Sequence, residues 1–144
     1  MGKNYNGTQI NQTATISERA GADITDVRNR ILKYDTDGNV VLAEDGTAPM
    51  LGLAIIEAGY NDISGETSGK VKKGEDVDIQ IKDIGSIIAS AEIKKGQEVT
   101  AAAGGKAAVA KEGEYVIGVA LKHVSAGGYC RVQIAKYQKV KAGS

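Results

Sequence analysis

The sequence predicts a mainly β protein, either a small β-sandwich or a barrel, built from internally repeated strand–turn units. Two observations lead to this fold class. The 144 residues include 19 glycines, which separate short apolar runs at close spacing. Segments 37–46 and 104–113 also resemble each other, and they continue into the matching apolar runs 50–55 and 116–121. An extended N-terminal arm and at most one short helix complete the expected fold.

Glycines occupy matching places in the two copies of the repeat. The pairs are Gly38 with Gly105, Gly46 with Gly113, and Gly52 with Gly118. Glycine enters turns of positive φ without steric cost, so paired glycines beside apolar runs indicate strands and tight turns used twice. We interpret all six as structural turn glycines. Such repetition is typical of a scaffold, because a catalytic site seldom needs the same strand pair twice.

Residues 1–22 are polar and lack helical periodicity, and we interpret them as an N-terminal arm. Within this arm, residues 13–17 have some strand character, so an edge strand, a disordered end and an arm that orders against a neighbour all stay open. Residues 23–138 are expected to form a single β-rich domain, and residues 139–144 a basic flexible tail.

Residues 23–32 permit two structures. Ile24, Val27 and Ile31 have the spacing of three and four that one short helix requires, with Asp23 or Thr25 as its cap. The β-branched residues permit a strand instead, and the pattern does not decide between the two.

Short strands separated by turns are predicted from residue 33 onward. The Asp-Gly pair within Asp35–Asn39 lies between apolar runs, which is a strong signal for a hairpin turn. Residues 59–70 form the longest predicted loop. Apolar and polar residues alternate in 77–81 and 130–134, which predicts strands with one buried and one solvent-exposed face. Residues 84–89 are expected to form a buried strand. The strands are predicted at 40–43, 51–56, 77–81, 84–89 and 130–134.

A second, shorter similarity relates residues 72–77 to residues 94–99, since each segment places a Lys-Lys-Gly turn ahead of an acidic-apolar strand. Lysyl-carrier domains also present a lysine on a hairpin turn. Neither turn here has the acidic or methionine neighbours of such a carrier lysine, so a carrier role is a minor alternative.

Composition argues against several classes of function. Lys plus Arg and Asp plus Glu both number 18, so no cationic surplus is available to neutralise nucleic-acid phosphates. The zero net charge is compatible with self-association. Six tyrosines with no Trp or Phe offer little for stacking against bases. No run approaches the roughly 18 apolar residues of a membrane span and no secretory signal is visible, so we expect a soluble protein made in the cytoplasm.

Candidate chemical sites are weak. Asp35, Asp37 and Asn39 have the oxygen spacing of a calcium loop, but a glycine falls at the fourth position and no glutamate at the twelfth. Segment 65–70 is one residue short of a phosphate loop, and Val71 stands where that loop needs Ser or Thr. We therefore predict no metal and no cofactor.

His123 and Cys130 are the single histidine and the single cysteine. Together they would supply a base and a nucleophile. The internal repeat, however, aligns Cys130 with Val77, which is the position of a core side chain, and cysteine often serves as a small buried hydrophobe. One cysteine allows no intrachain disulfide and indicates a reducing compartment. We predict no catalytic residues.

Segments 113–121 and 125–134 resemble the C-terminal signature of small tailed-phage head decoration proteins, also called capsid cement proteins. Residues 93–100 are similar to another segment of that family, and the resemblance covers roughly residues 33–135. It implies a non-enzymatic virion protein, synthesised in the host cytoplasm and placed on the outer capsid surface. Family members are commonly trimeric, and they lock neighbouring major capsid subunits of the expanded shell.

The resemblance implies two partners, the phage major capsid protein and further copies of the chain in a homotrimer, with no nucleic acid and no membrane. Within residues 3–17, eight are predicted to contact the capsid. They are Lys3, Asn4, Tyr5, Thr8, Ile10, Thr13, Thr15 and Ile16. The alternatives are another phage structural subunit, of the tail tube or baseplate, and a small β-rich carrier or enzyme domain.

Overall fold

The computed structural model describes residues 14–56, 58–60 and 68–141, and this part of the chain contains ten β-strands and one 3-10 turn, Ala103–Gly105. The strands are β1 (Thr15–Arg19), β2 (Ile31–Tyr34), β3 (Val40–Leu42), β4 (Gly52–Ala54), β5 (Asp76–Gln80), β6 (Ile84–Ile88), β7 (Glu98–Ala102), β8 (Lys106–Val109), β9 (Tyr115–Ala120) and β10 (Tyr129–Gln138). The predicted mainly β fold is confirmed.

The strands form two five-stranded antiparallel sheets with the same internal order. The first sheet has the order β1-β5-β4-β2-β3, and the second has the order β6-β10-β9-β7-β8. Adding five to each strand number converts one order into the other, so the described chain consists of two copies of one five-stranded unit. We call strands β1–β5 unit 1 and strands β6–β10 unit 2. The repeat seen in the sequence therefore extends over the whole domain.

Hydrogen bonds outside the strands repeat between the units as well. Ile24 and Val71 bond to each other through both backbone groups in unit 1, and Ile93 and Val124 do the same in unit 2. The edge strands of each sheet approach each other at one parallel bridge, Ala20–Val40 in unit 1 and its counterpart in unit 2. Neither sheet closes into a barrel, and the architecture is consistent with a small β-sandwich.

Register supports the alignment of residues 77–81 with residues 130–134. Glu18 of β1 lies opposite Val77, and Ile87 of β6 lies opposite Cys130. Val77 and Cys130 are both fully buried. The interpretation of Cys130 as a core residue is confirmed.

The two units are joined by an apolar face of unit 1. Ile31 and Leu53 lie opposite each other on β2 and β4, and both belong to the core cluster formed mainly by unit 2. The other face of the same sheet covers a second core cluster made of unit 1 residues alone. Full burial of such a side chain contributes about 1.5–3 kcal/mol relative to exposure. Both faces of sheet 1 are thus covered.

The position in unit 2 that is equivalent to Ile31, the unit 1 residue packed in the core of unit 2, carries a polar residue. Leu32 and Val99 occupy equivalent places, since Leu32 lies opposite Gly52 and Val99 lies opposite Gly118. The equivalent of Ile31 is therefore Glu98, a partly buried residue that bonds to Tyr137 and Lys139 of the chain's C-terminal segment. The outer face of sheet 2 is polar there and does not offer a second joint.

Residues 23–32, whose pattern permits either a short helix or a strand, contain no helix. Residues 23–30 are irregular, and strand structure begins at Ile31. Val27, although it fits a helical spacing, reaches the core of unit 1 from this irregular path. The predicted strand at 84–89 is present as β6, but only one face is buried, because Ile87 is inaccessible whereas Ile84 is 48% exposed.

The six glycines of the repeat have two kinds of role. Gly38, Gly105 and Gly113 have φ values of +82°, +74° and +86°. Gly52 and Gly118 lie within β4 and β9, where a Cβ would stand 2.2 Å from the carbonyl oxygen of Gln80 or Gln133. Gly46 is crowded by a side chain of unit 2, since its Cβ would lie 2.5 Å from Thr100 Oγ1.

We expect Gly52→Ala to lower the free energy of unfolding by about 2–3 kcal/mol, because the new methyl group must push β4 away from β5. Gly74→Ala is the control, since Gly74 has φ +92° and open space around it and so carries only the left-handed backbone cost, about 1 kcal/mol. Urea unfolding measures both. Equal losses would show that the close approach is not a constraint.

Candidate interaction surfaces

The predicted capsid contacts are divided by the limits of the described chain. Thr15 and Ile16 lie in β1, where Thr15 is exposed and Ile16 is partly buried against the core of unit 1. The other six, Lys3, Asn4, Tyr5, Thr8, Ile10 and Thr13, lie outside the described residues.

β1 is an edge strand, and its hydrogen-bonding pattern fixes which backbone groups face outward. Ala20 donates its amide to Glu75, and Ile81 donates its amide to Ala14, each at 2.8 Å. In an antiparallel ladder this places the even-numbered residues of β1 in bonded pairs with β5. The amides and carbonyls of odd-numbered residues, including Ser17 and Arg19, therefore point away from β5.

A shallow groove lies beside the joint between the units. It has a volume of about 300 Å³ and is lined by Tyr34, Lys136 and residues 48–51. Lys136 donates its ammonium to the carbonyl of Leu51 at 2.7 Å, and burial lowers the pKa of this lysine. No pattern in the sequence predicts this groove, because its walls come from both units and share no motif.

Two exposed tyrosines are held by carboxylates. The Tyr34 hydroxyl donates to Glu18, and the Tyr137 hydroxyl donates to Glu98. The bond to Glu98 raises the pKa of Tyr137 to about 12. The bonds from Tyr137 and Lys139 lower the pKa of Glu98. Tyr137 and Lys139 thus fix the C-terminal segment over the polar outer face of unit 2.

Cys130 and His123 lie in different environments. Cys130 is fully buried, and burial raises the pKa of its thiol, which disfavours the thiolate needed for nucleophilic attack. His123 is exposed and pairs with Glu92 at 2.8 Å. The described geometry supports a core role for Cys130.

The Lys-Lys-Gly segments form one recurring turn. Lys72 accepts a backbone bond from Glu75, and the Glu75 carboxylate accepts the Lys72 amide at 2.7 Å. Gln97 makes the same two bonds to Lys94, and Glu114 makes them to Lys111. The acidic or amide residue after each glycine is therefore explained by turn closure.

The Asp35 turn is also closed by its own side chain. Asp35 Oδ1 accepts the amides of Asp37 and Asn39 at 2.8 and 3.0 Å, and β2 pairs with β3 across this turn. The predicted hairpin is confirmed. Over residues 14–56, 58–60 and 68–141, no group of three or more acidic, His or Cys side chains is arranged to hold a metal ion. No helix in that part of the chain is long and apolar enough to cross a membrane.

We expect Cys130 to react with a disulfide reagent at pH 8 at least about 100-fold more slowly in the native protein than in urea, because its thiol is buried and protonated. Ala126→Cys in a Cys130→Val background is the control, since Ala126 is exposed on a turn. Absorbance at 412 nm with Ellman's reagent follows the reaction. Fast native labelling of Cys130 would contradict the core assignment.

We expect a tyrosine titration step at about pH 12, assigned to Tyr137 and removed toward the ordinary range by Glu98→Gln. The folded-state pKa lies above the ordinary value of 10, so the stabilisation is complete below pH 10 and is lost as pH rises to about 12. Absorbance at 295 nm follows the titration. Glu18→Gln, which acts on Tyr34, is the control and should leave that step in place.

Comparison with known proteins gives a likeness of fold. No model of a known family and no curated protein matches the chain. The crystal structure of the N base of head fiber gp8.5 in bacteriophage phi29 is similar, with a TM-score of 0.58 and 19% sequence identity. The match covers 84% of this chain and 92% of that one. At this identity the likeness shows that the chain shares the fold of a phage head protein.

Proposed function

We propose that the chain is a structural virion protein that decorates the outer surface of a phage capsid and stabilises the expanded shell by bridging major capsid subunits. The observation that carries the proposal is the fold shared with the phi29 head fiber base over 84% of the chain. The resemblance of segments 93–100, 113–121 and 125–134 to capsid cement proteins supports it independently.

The architecture suits a static binding role. Unit 1 has a core of its own, and Ile31 and Leu53 of unit 1 complete the core of unit 2, so the two units pack against each other through a shared core. A rigid scaffold loses little conformational freedom on binding, so more of the contact energy appears as affinity. In a homotrimer, three equivalent weak contacts would act together and give avidity without further chemistry.

The N-terminal segment is the proposed contact with the major capsid protein. Residues 15–17 of this segment belong to β1, which is fixed to β5 by five register pairs from Thr15 to Arg19. A contact made by this segment is therefore transmitted to the sheet of unit 1. Backbone pairing with a neighbouring sheet is the mode of binding that we propose for this segment.

Co-sedimentation with unexpanded and expanded heads of the source phage tests the proposal. We expect saturable binding to expanded heads alone. A variant lacking residues 2–13 keeps all of β1 and should bind at least about tenfold more weakly with an unchanged melting temperature. A variant lacking residues 142–144 is the control for truncation.

Each outcome separates two parts of the proposal. Failure of the intact chain to bind either form of head would refute decoration. Equal binding by the intact chain and by the variant lacking residues 2–13 would refute the contact through the N-terminal segment while leaving decoration in place.

A further inference from the structure

The outward edge of β6 is covered by unit 1. Ile88 donates its amide to the carbonyl of Asn29 at 3.0 Å, and Asn29 Nδ2 donates to the carbonyl of Ser86 at 3.0 Å. Asn29 has φ +55° and is 6% exposed, so a buried residue in an unusual conformation satisfies this edge. Unpaired backbone groups on an edge strand invite pairing with another chain, and Asn29 prevents this at β6.

The equivalent edge in unit 1 is β1. The bridge between Ala20 and Val40 repeats as the bridge between Ala89 and Ala107. This places Ser17 at the position of Ser86, and Arg19 at the position of Ile88. Within residues 14–56, 58–60 and 68–141, no hydrogen bond reaches the outward carbonyl of Ser17 or the outward amide of Arg19. The two groups that Asn29 satisfies in unit 2 are open in unit 1.

β1 lacks three of the devices that protect edge strands, namely a bulge, a proline and a lysine. Its five register pairs with β5 are consecutive, so no bulge turns the edge away, and it contains neither proline nor lysine. Ser17 and Arg19 are exposed, and the Ser17 hydroxyl donates to Asp78 of β5 at 3.0 Å. The edge is regular as far as Arg19, and β3 meets it just beyond, where Gly21 donates its amide to the carbonyl of Val40 at 2.8 Å.

We propose that the outer edge of β1 accepts an extended backbone segment of the capsid protein, which pairs with Ser17 and Arg19 as an added strand. This inference rests on the proposed function and assigns the contact to a position in the fold. The carbonyl of Ser17 accepts and the amide of Arg19 donates, as their equivalents in β6 do with Asn29. Backbone bonds supply the affinity in such strand addition.

Amide hydrogen exchange of the free protein tests whether the edge is open. The matched pair is Arg19 and Ile88, because they occupy equivalent positions and differ in the bond to Asn29. We expect the Arg19 amide to exchange at least about 100-fold faster than the Ile88 amide. Comparable protection of both amides would show that the edge of β1 is already occupied in the free chain and would overturn the inference.

Proline at position 17 tests the pairing itself. A strand added at this edge would also accept the outward amide of Ser17. Ser17→Pro removes that amide and no bond to β5, whereas Ser17→Ala keeps the amide and removes only the hydroxyl contact with Asp78. We expect Ser17→Pro to bind expanded heads at least about tenfold more weakly than Ser17→Ala, with similar melting temperatures. If Ser17→Pro fails to fold, Arg19→Pro provides the same test. Slower hydrogen exchange of the Ser17 and Arg19 amides in the unmutated protein on head binding provides it as well.

The outcomes are distinct. If the intact chain binds expanded heads and both position-17 variants bind as tightly, the inference is overturned and decoration stands. If the intact chain binds no head, the proposed function and this inference fail together.

Discussion

The packing of unit 1 onto the core of unit 2 is the contact on which the rest of the molecule depends. Ile31 and Leu53 belong to a sheet whose other face already covers its own core, so this sheet is buried on both sides. The same approach brings Asn29 to the edge of β6 and the Gly46 segment to β9, where Tyr115 donates to the Gly46 carbonyl at 2.9 Å. Removing the joint would expose the core of unit 2 and an edge strand together.

Much of the fold could be predicted because many residues of the repeat have strong backbone preferences. The Asp35 turn, the alternating strand at 77–81 and the buried Cys130 all follow from local pattern. The joint could not be predicted in this way. Ile31 looks like any other apolar residue of a strand, and only its position opposite Leu53, on the face turned toward unit 2, makes it an interface residue.

The interaction surfaces were less accessible to sequence reasoning for a related physical reason. An edge is defined by which backbone groups lack a partner, and that depends on pairing between distant segments. Ser17 and Ser86 are alike as residues, yet an asparagine 57 positions before Ser86 satisfies the carbonyl of Ser86. The one residue in the sequence that hints at this contact is Asn29, since asparagine is among the few residues that adopt positive φ at low cost.

Glu98 occupies in unit 2 the position that Ile31 occupies in unit 1, so the two units present unlike faces at equivalent places. Unit 1 uses its apolar face within the chain, and the corresponding face of unit 2 carries a carboxylate held by Tyr137 and Lys139. Copies cannot stack head to tail by repeating the internal contact, so growth into an open filament along the repeat axis is disfavoured. Any contact between copies would have to use other surfaces of the two units.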